Sequence, residues 1–163
     1  MNYKNYKYIL PLIVITLVIA TILSSCQNSL RQYDEVVDYF NENKELFVGF
    51  PFEDAPPALT NENKKYVKDY FGQDTIIIEY SLYDQKYGNF GIFTCGVKGW
   101  GGNFEYNGLY FSETDKPYGL EFNGCPVEER EPGVYVFNYS DPSGYVWTKK
   151  LCDNWYYFYK KDY

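Results

Sequence analysis

Histidine is absent from the 163-residue chain. Its absence excludes Ser-His and Cys-His dyads, zinc sites of the HExxH type and the commonest base at neutral pH. The glycines around Trp100 match neither the GxGxxG nor the GxxxxGK[ST] pattern, so a phosphate-binding loop is not supported. The motifs of serine hydrolases, penicillin-binding enzymes and calcium loops are also lacking. We therefore predict no enzyme, no metal site and no cofactor.

Positive charge is scarce, with 15 Lys and Arg residues against 22 Asp and Glu residues. Lys4 and Lys7 lie in the first 25 residues, which hold no acidic residue, so the remainder is more acidic still. This balance argues against a nucleic-acid partner and indicates solubility or attraction to a basic partner. So many carboxylates could include a glycosidase-like pair, but a domain of this size leaves little room for a sugar cleft.

The first 25 residues have the pattern of a secretory signal peptide. Lys4 and Lys7 precede an apolar run over 9–23, and small residues follow it. The run is short of the about 20 residues that a membrane-spanning helix needs. An uncleaved N-terminal anchor is the alternative, and it would also send the rest of the chain across the membrane, because the positive residues stay on the cytoplasmic side.

The end of this segment, Leu23-Ser24-Ser25-Cys26, resembles the lipobox of bacterial lipoproteins. The resemblance implies lipid on Cys26, cleavage before it, and an extracytoplasmic protein held to a membrane, since acyl chains anchor stably when two or more are present. Gln27 is not the Asp of a known retention signal, which favours the outer membrane where a second membrane exists. The expected organisation is a signal peptide at 1–25, an anchor and short tether at 26–29, and one domain at 30–163.

Three cysteines remain after lipidation: Cys95, Cys125 and Cys152. An oxidising location permits one disulfide among them. Cys125 with Cys152 is the favoured pair, because both lie at the edges of predicted strands in the C-terminal half. All three as buried thiols is the alternative, and the absence of CxxC spacing argues against zinc.

Hydrophobic periodicity divides the domain into helices followed by strands. It predicts a helix over 29–48 and a second that is capped by Thr60 and ended by Gly72. From Asp74 onward, short apolar runs alternate with turn residues and predict strands at 75–83, 90–98, 104–111, 118–122, 134–140, 145–151 and 155–160. We therefore predict an α+β fold with two N-terminal helices packed on an antiparallel β-meander of six to eight short strands.

Three finer expectations concern the strand half. Alternation over 75–83 places Ile76, Ile78, Tyr80 and Leu82 on one face. Asn107-Gly108 is a hairpin signal that interrupts the strand at 104–111. The acidic stretch that contains Glu128, Glu129 and Glu131 falls in the longest loop, at 123–133.

Two features are candidates for partner binding. Trp100 lies among glycines, where it could stack on a sugar or anchor in a partner's pocket, although it could also fold back over the core. Glu128, Glu129 and Glu131 could meet a basic patch and speed encounter, or could belong to a solvated loop. With 20 Tyr, 12 Phe and 3 Trp residues, the chain also suits an aromatic ligand face or a tyrosine-filled sheet.

Two segments, Tyr110-Phe111-Ser112-x-x-Asp115-x-Pro117 and Asn154-Trp155-Tyr156-Tyr157, resemble small uncharacterised bacterial lipoproteins with a tyrosine-rich sheet. Some of those lie among toxin–immunity genes, so the resemblance implies an immunity-type role and no catalytic residue. The functional prediction is a non-enzymatic, membrane-anchored module that binds a basic protein. A glycan-binding protein that uses exposed aromatic residues and a structural envelope lipoprotein are the alternatives.

Overall fold

The computed structural model describes residues 30–83, 90–100, 102–117, 119, 128–138 and 144–162. Three α-helices come first: α1 (Tyr33–Glu42), α2 (Lys44–Val48) and α3 (Asn61–Phe71), with a 3-10 turn at Phe52–Asp54. Seven strands follow: β1 (Glu79–Tyr83), β2 (Phe90–Trp100), β3 (Asn103–Ser112), β4 (Glu128–Glu131), β5 (Val134–Asn138), β6 (Gly144–Cys152) and β7 (Trp155–Asp162). Within these residues no helix has the length and apolarity to span a membrane.

The seven strands form one antiparallel sheet in the order β1-β2-β3-β7-β6-β5-β4. The α+β class and the antiparallel sheet predicted from the sequence are thereby confirmed. The sheet is not a single meander, however. It consists of two runs, β1-β2-β3 and β4-β5-β6-β7, joined where β7 pairs with β3. The last strand in the chain is therefore the central strand of the sheet.

The first predicted helix is divided at Asn43. The side-chain amide of Asn43 donates a hydrogen bond of 2.9 Å to the carbonyl oxygen of Tyr39, which competes with continuation of the helix. The prediction began at residue 29, whereas the described helix begins at Tyr33, and Gln32 before it makes no side-chain cap hydrogen bond. In α2, Phe47 is buried in the core while Val48 is exposed to solvent.

Helix α3 matches its prediction closely. The hydroxyl of Thr60 accepts a hydrogen bond from the backbone N–H of Asn63 at 3.1 Å and so caps the first turn. Gly72 follows the last residue with a φ of +97°, a conformation that glycine adopts without steric cost. Val67 and Phe71 are buried, as the helical spacing indicated.

A cluster of aromatic rings joins the helices to one face of the sheet. Phe47 of α2 has its ring centroid 5.3 Å from that of Phe93 on β2 and 5.4 Å from that of Trp155 on β7. Phe40 of α1 also contacts Trp155, at 5.3 Å. Edge-to-face and tilted pairs of this kind add to the hydrophobic gain of burial. Residues from α1, α2, α3 and four strands thus share one core.

The opposite face of the sheet carries a second, smaller core. Tyr110 of β3 stacks on Tyr156 of β7 with centroids 4.9 Å apart. The hydroxyl of Thr148 lies 3.0 Å from that of Tyr110 and donates to the carbonyl oxygen of Tyr157 at 2.8 Å. Tyrosine therefore fills both faces of the central strands, with its polar end paired.

The predicted interruption of the third strand was wrong, because β3 runs through Asn107-Gly108 without a turn. Gly108 pairs with Thr94, and a side chain there would collide with the carbonyl oxygen of Phe93. A bulge in β2 between Thr94 and Gly96 accompanies this close approach. Gly108 therefore allows the backbones of β2 and β3 to approach each other closely.

Strand β1 is shorter than predicted: Tyr80 and Leu82 alternate onto one face, but Ile76 and Ile78, expected on that face, precede the strand. Thr75 accepts a hydrogen bond from the backbone N–H of Ile77, so the chain turns there before the strand begins. Ile77 and Tyr80 are buried, whereas Leu82 is 43% exposed. β1 is an edge strand, and Asn63 of α3 binds its backbone at Tyr80.

The stretch at 128–131, predicted as part of a loop, is strand β4. It pairs with β5 through a turn in which Gly133 has a φ of +75°. The hairpin of β5 and β6 and the last strand are found where the sequence predicted them. The predicted strand at 118–122 lies outside the described residues, apart from Gly119, which belongs to no strand.

Candidate functional site

Trp100 and the acidic residues lie far apart in the sheet. Trp100 ends β2, whereas Glu128, Glu129 and Glu131 belong to β4 at the far edge. Five strand spacings of about 4.8 Å separate β2 from β4, or roughly 24 Å. The structure therefore does not bring these candidate residues into one site. Cys26 and Cys125 lie outside the described residues.

All four residues of β4 are exposed. Glu128 pairs with Arg130 at 2.8 Å, and a carboxylate oxygen of Glu129 accepts from the backbone N–H of Gly133 at 3.1 Å. Glu129 therefore supports the β4–β5 turn. A charged edge strand also discourages unwanted pairing of sheet edges. The three glutamates keep their candidate role as an acidic surface beside β5.

The two described thiols differ in accessibility. Cys95 is buried, its thiol lies 3.7 Å from the carbonyl oxygen of Phe93, and burial raises its pKa to about 12. It is therefore unsuited to reaction as a thiolate. Cys152 is half-buried beside a groove and forms no disulfide with another described cysteine. Its pairing with Cys125 stays a prediction.

This groove lies between α2 and the β6–β7 turn and has a volume of about 330 Å³. Its apolar lining comprises Phe47, Val48, Phe52, Phe111, Cys152 and Trp155. The rings of Phe52 and Phe111 are stacked at 5.0 Å, and that of Trp155 lies 5.4 Å from that of Phe111. Because these rings are fixed by the core beneath them, the groove has a rigid apolar floor.

Helix α2 forms the raised border of this groove. A second, shallower concavity of about 760 Å³ runs along its other side, lined by residues between Asn41 and Gly49. Between the two concavities, Leu46 is 37% and Val48 is 65% exposed. Val48 lines both concavities, and Leu46 lines the second. Exposed apolar side chains that border a concave surface indicate a contact site more than scattered exposed residues do.

The surface around the groove is acidic. Two exposed ammonium groups, of Lys44 and Lys116, belong to the segments that border it. Six exposed carboxylates belong to the same segments: Glu42, Glu45, Glu53, Asp54, Glu113 and Asp153. We name this region, with α2 and the β6–β7 turn, the groove end of the domain.

A scan against models of protein families, a search of curated proteins and a search of solved structures found no match to the chain. Among the described residues there is also no group of three or more residues suited to hold a metal ion. The site is therefore interpreted from its own geometry.

Asp115 ties together the two loops that support the groove end. Its carboxylate accepts from Lys150 at 2.6 Å and from the backbone N–H of Asn154 at 2.7 Å. The hydroxyl of Tyr156 donates to the backbone carbonyl oxygen of Asp115 at 2.9 Å, and the side-chain amide of Asn154 donates to the backbone carbonyl oxygen of Ser112 at 2.7 Å. The two segments on which the sequence resemblance rested therefore contact each other.

Acid should weaken the link that Asp115 makes between the two loops, and substitution of Asp115 tests this. The hydrogen bond from Lys150 is the main reason that the pKa of Asp115 lies below its usual range. Because the folded pKa is below the unfolded value of about 3.9, the stabilisation is present above that value and is lost as the pH falls through the folded pKa. We expect Asp115→Asn to make the loss of stability between neutral and acidic pH shallower than in the parent protein.

Urea unfolding at a series of pH values measures this effect. Asp153→Asn is the matched control, because Asp153 is exposed and lies 3.8 Å from the same ammonium group. The control should retain the parent's pH dependence. Equal acid sensitivity of the parent and Asp115→Asn would show that this carboxylate contributes nothing specific.

The sequence did not reveal the groove. Leu46 and Val48 fall outside the apolar stripe of the predicted helix, and that departure was the available signal. Apolar residues on the polar side of an amphipathic helix either pack on something or are exposed for contact. Phe111, Trp155 and α2 are distant in sequence, so their meeting at one groove depends on the sheet order.

Proposed function

We propose that the protein is a lipoprotein anchored through Cys26 on the extracytoplasmic face of a bacterial membrane, where it binds a basic protein without catalysing a reaction. Where two membranes are present, the outer membrane is its proposed location. An immunity-type role, in which a basic protein is neutralised at the cell envelope, fits this description. The observation that carries the binding role is Val48, 65% exposed on the border of an apolar groove, in a region whose exposed side chains are mostly carboxylates.

In this proposal, apolar contact and charge contribute to different properties of binding. The groove volume of about 330 Å³ is at the lower end of the range of small-ligand sites, about 300–1,000 Å³, and suits one or two inserted side chains. Burial of Val48 and its neighbours would supply affinity. The surrounding carboxylates would accelerate encounter with a basic partner and make binding sensitive to salt.

Strand β4 could extend the same interface. Only β5 lies between β4 and β6, so β4 is about 10 Å from the strand that leads into the groove end. A partner that buries a standard area of about 800 Å² per side would reach both surfaces. Glu128, Glu129 and Glu131 therefore remain proposed partner-binding residues.

A titration with basic peptides tests the proposal. Fluorescently labelled peptides with a central Leu or Phe flanked by Lys and Arg would be added to the lipidated protein in non-ionic detergent. We expect binding that weakens as salt increases. Val48→Ser, which adds no charge, should weaken it roughly tenfold, because loss of a buried valine contact of about 1.5 kcal/mol corresponds to that factor. Leu59→Ser is the matched control, since Leu59 is 80% exposed and does not line the groove.

The outcomes separate the candidate surfaces. Loss of binding in Glu128→Lys/Glu129→Lys/Glu131→Lys but not in Val48→Ser would move the site to β4. Binding that neither salt nor these substitutions alter would exclude a basic partner at either surface. In that case a panel of oligosaccharides, with Trp100→Ala as the comparison, would test the glycan-binding alternative. If no oligosaccharide bound, the structural envelope lipoprotein would be the remaining alternative.

A further inference from the structure

We propose that the bilayer itself is a second contact of the domain, made by the end of the sheet opposite the groove. This inference rests on the proposed anchor at Cys26. The hairpin end comprises the described residues 97–100, 102–107 and 160–162, where β2, β3 and β7 reach the same edge. The hairpin end contacts the headgroup layer of the membrane into which the lipid on Cys26 is inserted.

The start of the described chain fixes where the tether meets the domain. Asn107 of β3, which is buried, donates a hydrogen bond through its side-chain amide to the carbonyl oxygen of Arg31. A Cβ on Gly96 of β2 would lie 2.7 Å from the backbone nitrogen of Arg31 and 2.9 Å from the Cα of Leu30. The chain therefore packs directly on the sheet beside the hairpin end as soon as the domain begins.

The direction of α1 shows from which end the chain arrives. The ring of Phe40 contacts that of Trp155 at the start of β7. The ring centroid of Tyr33 lies 4.9 Å from that of Tyr157, two residues further along β7. Arg31 binds Asn107, which is in register with Tyr159. Moving backwards along the chain, the contacts thus progress towards the C-terminal end of β7. That end of β7 belongs to the hairpin end.

The length of the tether limits how far the domain can stand from the lipid. Four residue steps separate Cys26 from Leu30, and they span at most about 14 Å in any conformation. Phe104 lies three residues beyond Asn107 on β3, about 10 Å further towards the hairpin tip. An anchored domain therefore has its hairpin end within reach of the bilayer surface.

The chemistry of the hairpin end suits a membrane interface. Phe104 is 38% exposed, and its ring lies 6.1 Å from that of Tyr106. Lys160 is buried with its ammonium group 5.5 Å from the centre of the Tyr106 ring, whereas Lys98, next to the Gly99 that pairs with Phe104, is exposed. An exposed aromatic ring near an exposed lysine suits a membrane–water interface, because the ring enters the headgroup layer while the amine stays in water.

The distribution of charge favours the same orientation. The hairpin end has three lysines, of which Lys160 and Lys161 pair with Asp162 at 3.0 Å and Glu105 at 3.4 Å, and Lys98 is exposed. The six exposed carboxylates named above lie at the groove end. A bilayer that contains anionic lipid would repel the groove end and accept the hairpin end. The groove would then face away from the membrane.

Quenching by brominated lipid tests this orientation on the lipidated full-length protein. Phe104→Trp and Val48→Trp place an added indole at the hairpin end and the groove end, respectively. In vesicles of phosphatidylcholine brominated on its acyl chains, we expect the emission added at position 104 to be lost, and the emission added at position 48 to persist. Both signals are measured against the parent protein, which has 3 tryptophans, and against unbrominated vesicles.

Two results would overturn the inference in distinguishable ways. If labelled palmitate is incorporated by the parent but not by Cys26→Ser, the anchor is present. Equal quenching at both positions, or stronger quenching at position 48, would then refute the orientation alone. If the parent incorporates no palmitate, the proposed anchor fails and the membrane contact fails with it.

Discussion

Replacement of Phe47 by alanine should destabilise the domain by about 3–5 kcal/mol, the range found for loss of a buried aromatic ring. Phe47 is fully buried and contacts rings from two helices and two strands, including Phe71, Phe93 and Trp155. Helix α2 has five residues and cannot be stable alone. Loss of the ring therefore removes the main attachment of α2 as well as creating a cavity.

The neighbouring residue supplies the control for this prediction. Val48 is 65% exposed on the same short helix, so Val48→Ala should change stability by no more than about 0.5 kcal/mol. Guanidinium unfolding monitored by tryptophan emission measures both variants. A small effect of Phe47→Ala, close to that of Val48→Ala, would mean that α2 is not held to the sheet through this ring.

Asn63→Leu should be nearly as damaging, although it introduces an apolar residue into a buried position. The side-chain amide of Asn63 donates to the carbonyl oxygens of Pro56 at 2.7 Å and Tyr80 at 2.9 Å. Its carbonyl oxygen accepts from the backbone N–H of Tyr80 at 3.0 Å. Leucine would leave these backbone groups unpaired, at about 1–3 kcal/mol for each buried group.

A second substitution removes the donors of the amide and keeps its acceptor. Asn63→Asp keeps an acceptor for Tyr80 but loses both donors, and it adds a charge in a site with no exposure. We expect both variants to lower the denaturation midpoint strongly. Lys65→Leu is the comparison, because Lys65 is exposed on the same helix and pairs only with Asp69 among the described residues. Loss of its surface pair should cost a few tenths of a kcal/mol. A mild effect of Asn63→Leu would show that water replaces the lost hydrogen bonds.

The features that local chemistry determines could be predicted from the sequence. Thr60 and Gly72 bound α3 because a cap and a left-handed glycine act within one turn. The β5–β6 hairpin could be predicted because its alternating residues and its turn are contiguous. The α+β class follows from the same local signals, since helical spacing precedes strand alternation along the chain.

The features that depend on distant contacts could not be predicted. Gly108 has the signature of a turn, yet its role is to let β3 approach Phe93. Strand β4 consists only of charged residues, which disfavour strands, and it forms because β5 offers a partner. Asn63 resembles a residue on the wet side of a helix, and only the position of β1 shows that it is buried.

The candidate site, too, could be predicted from the sequence only in part. Glu128, Glu129 and Glu131 are exposed, as expected of acidic residues in a charged segment. Their distance from Trp100 depends on the strand order, which nothing local to either segment determines. The groove also depends on that order, since it forms where α2 meets the end of β3 and the β6–β7 turn.

The central position of β7 has a consequence for how the polypeptide reaches its native state. Among the described residues, its ladders to β3 and to β6 join β1-β2-β3 to β4-β5-β6. The β3–β7 ladder runs from the pair Phe111 and Trp155 to the pair Phe104 and Asp162, so it forms between distant parts of the sequence, and contacts of that kind form slowly. Until β7 is in place, the two half-sheets stay separate and keep exposed edges that can pair wrongly.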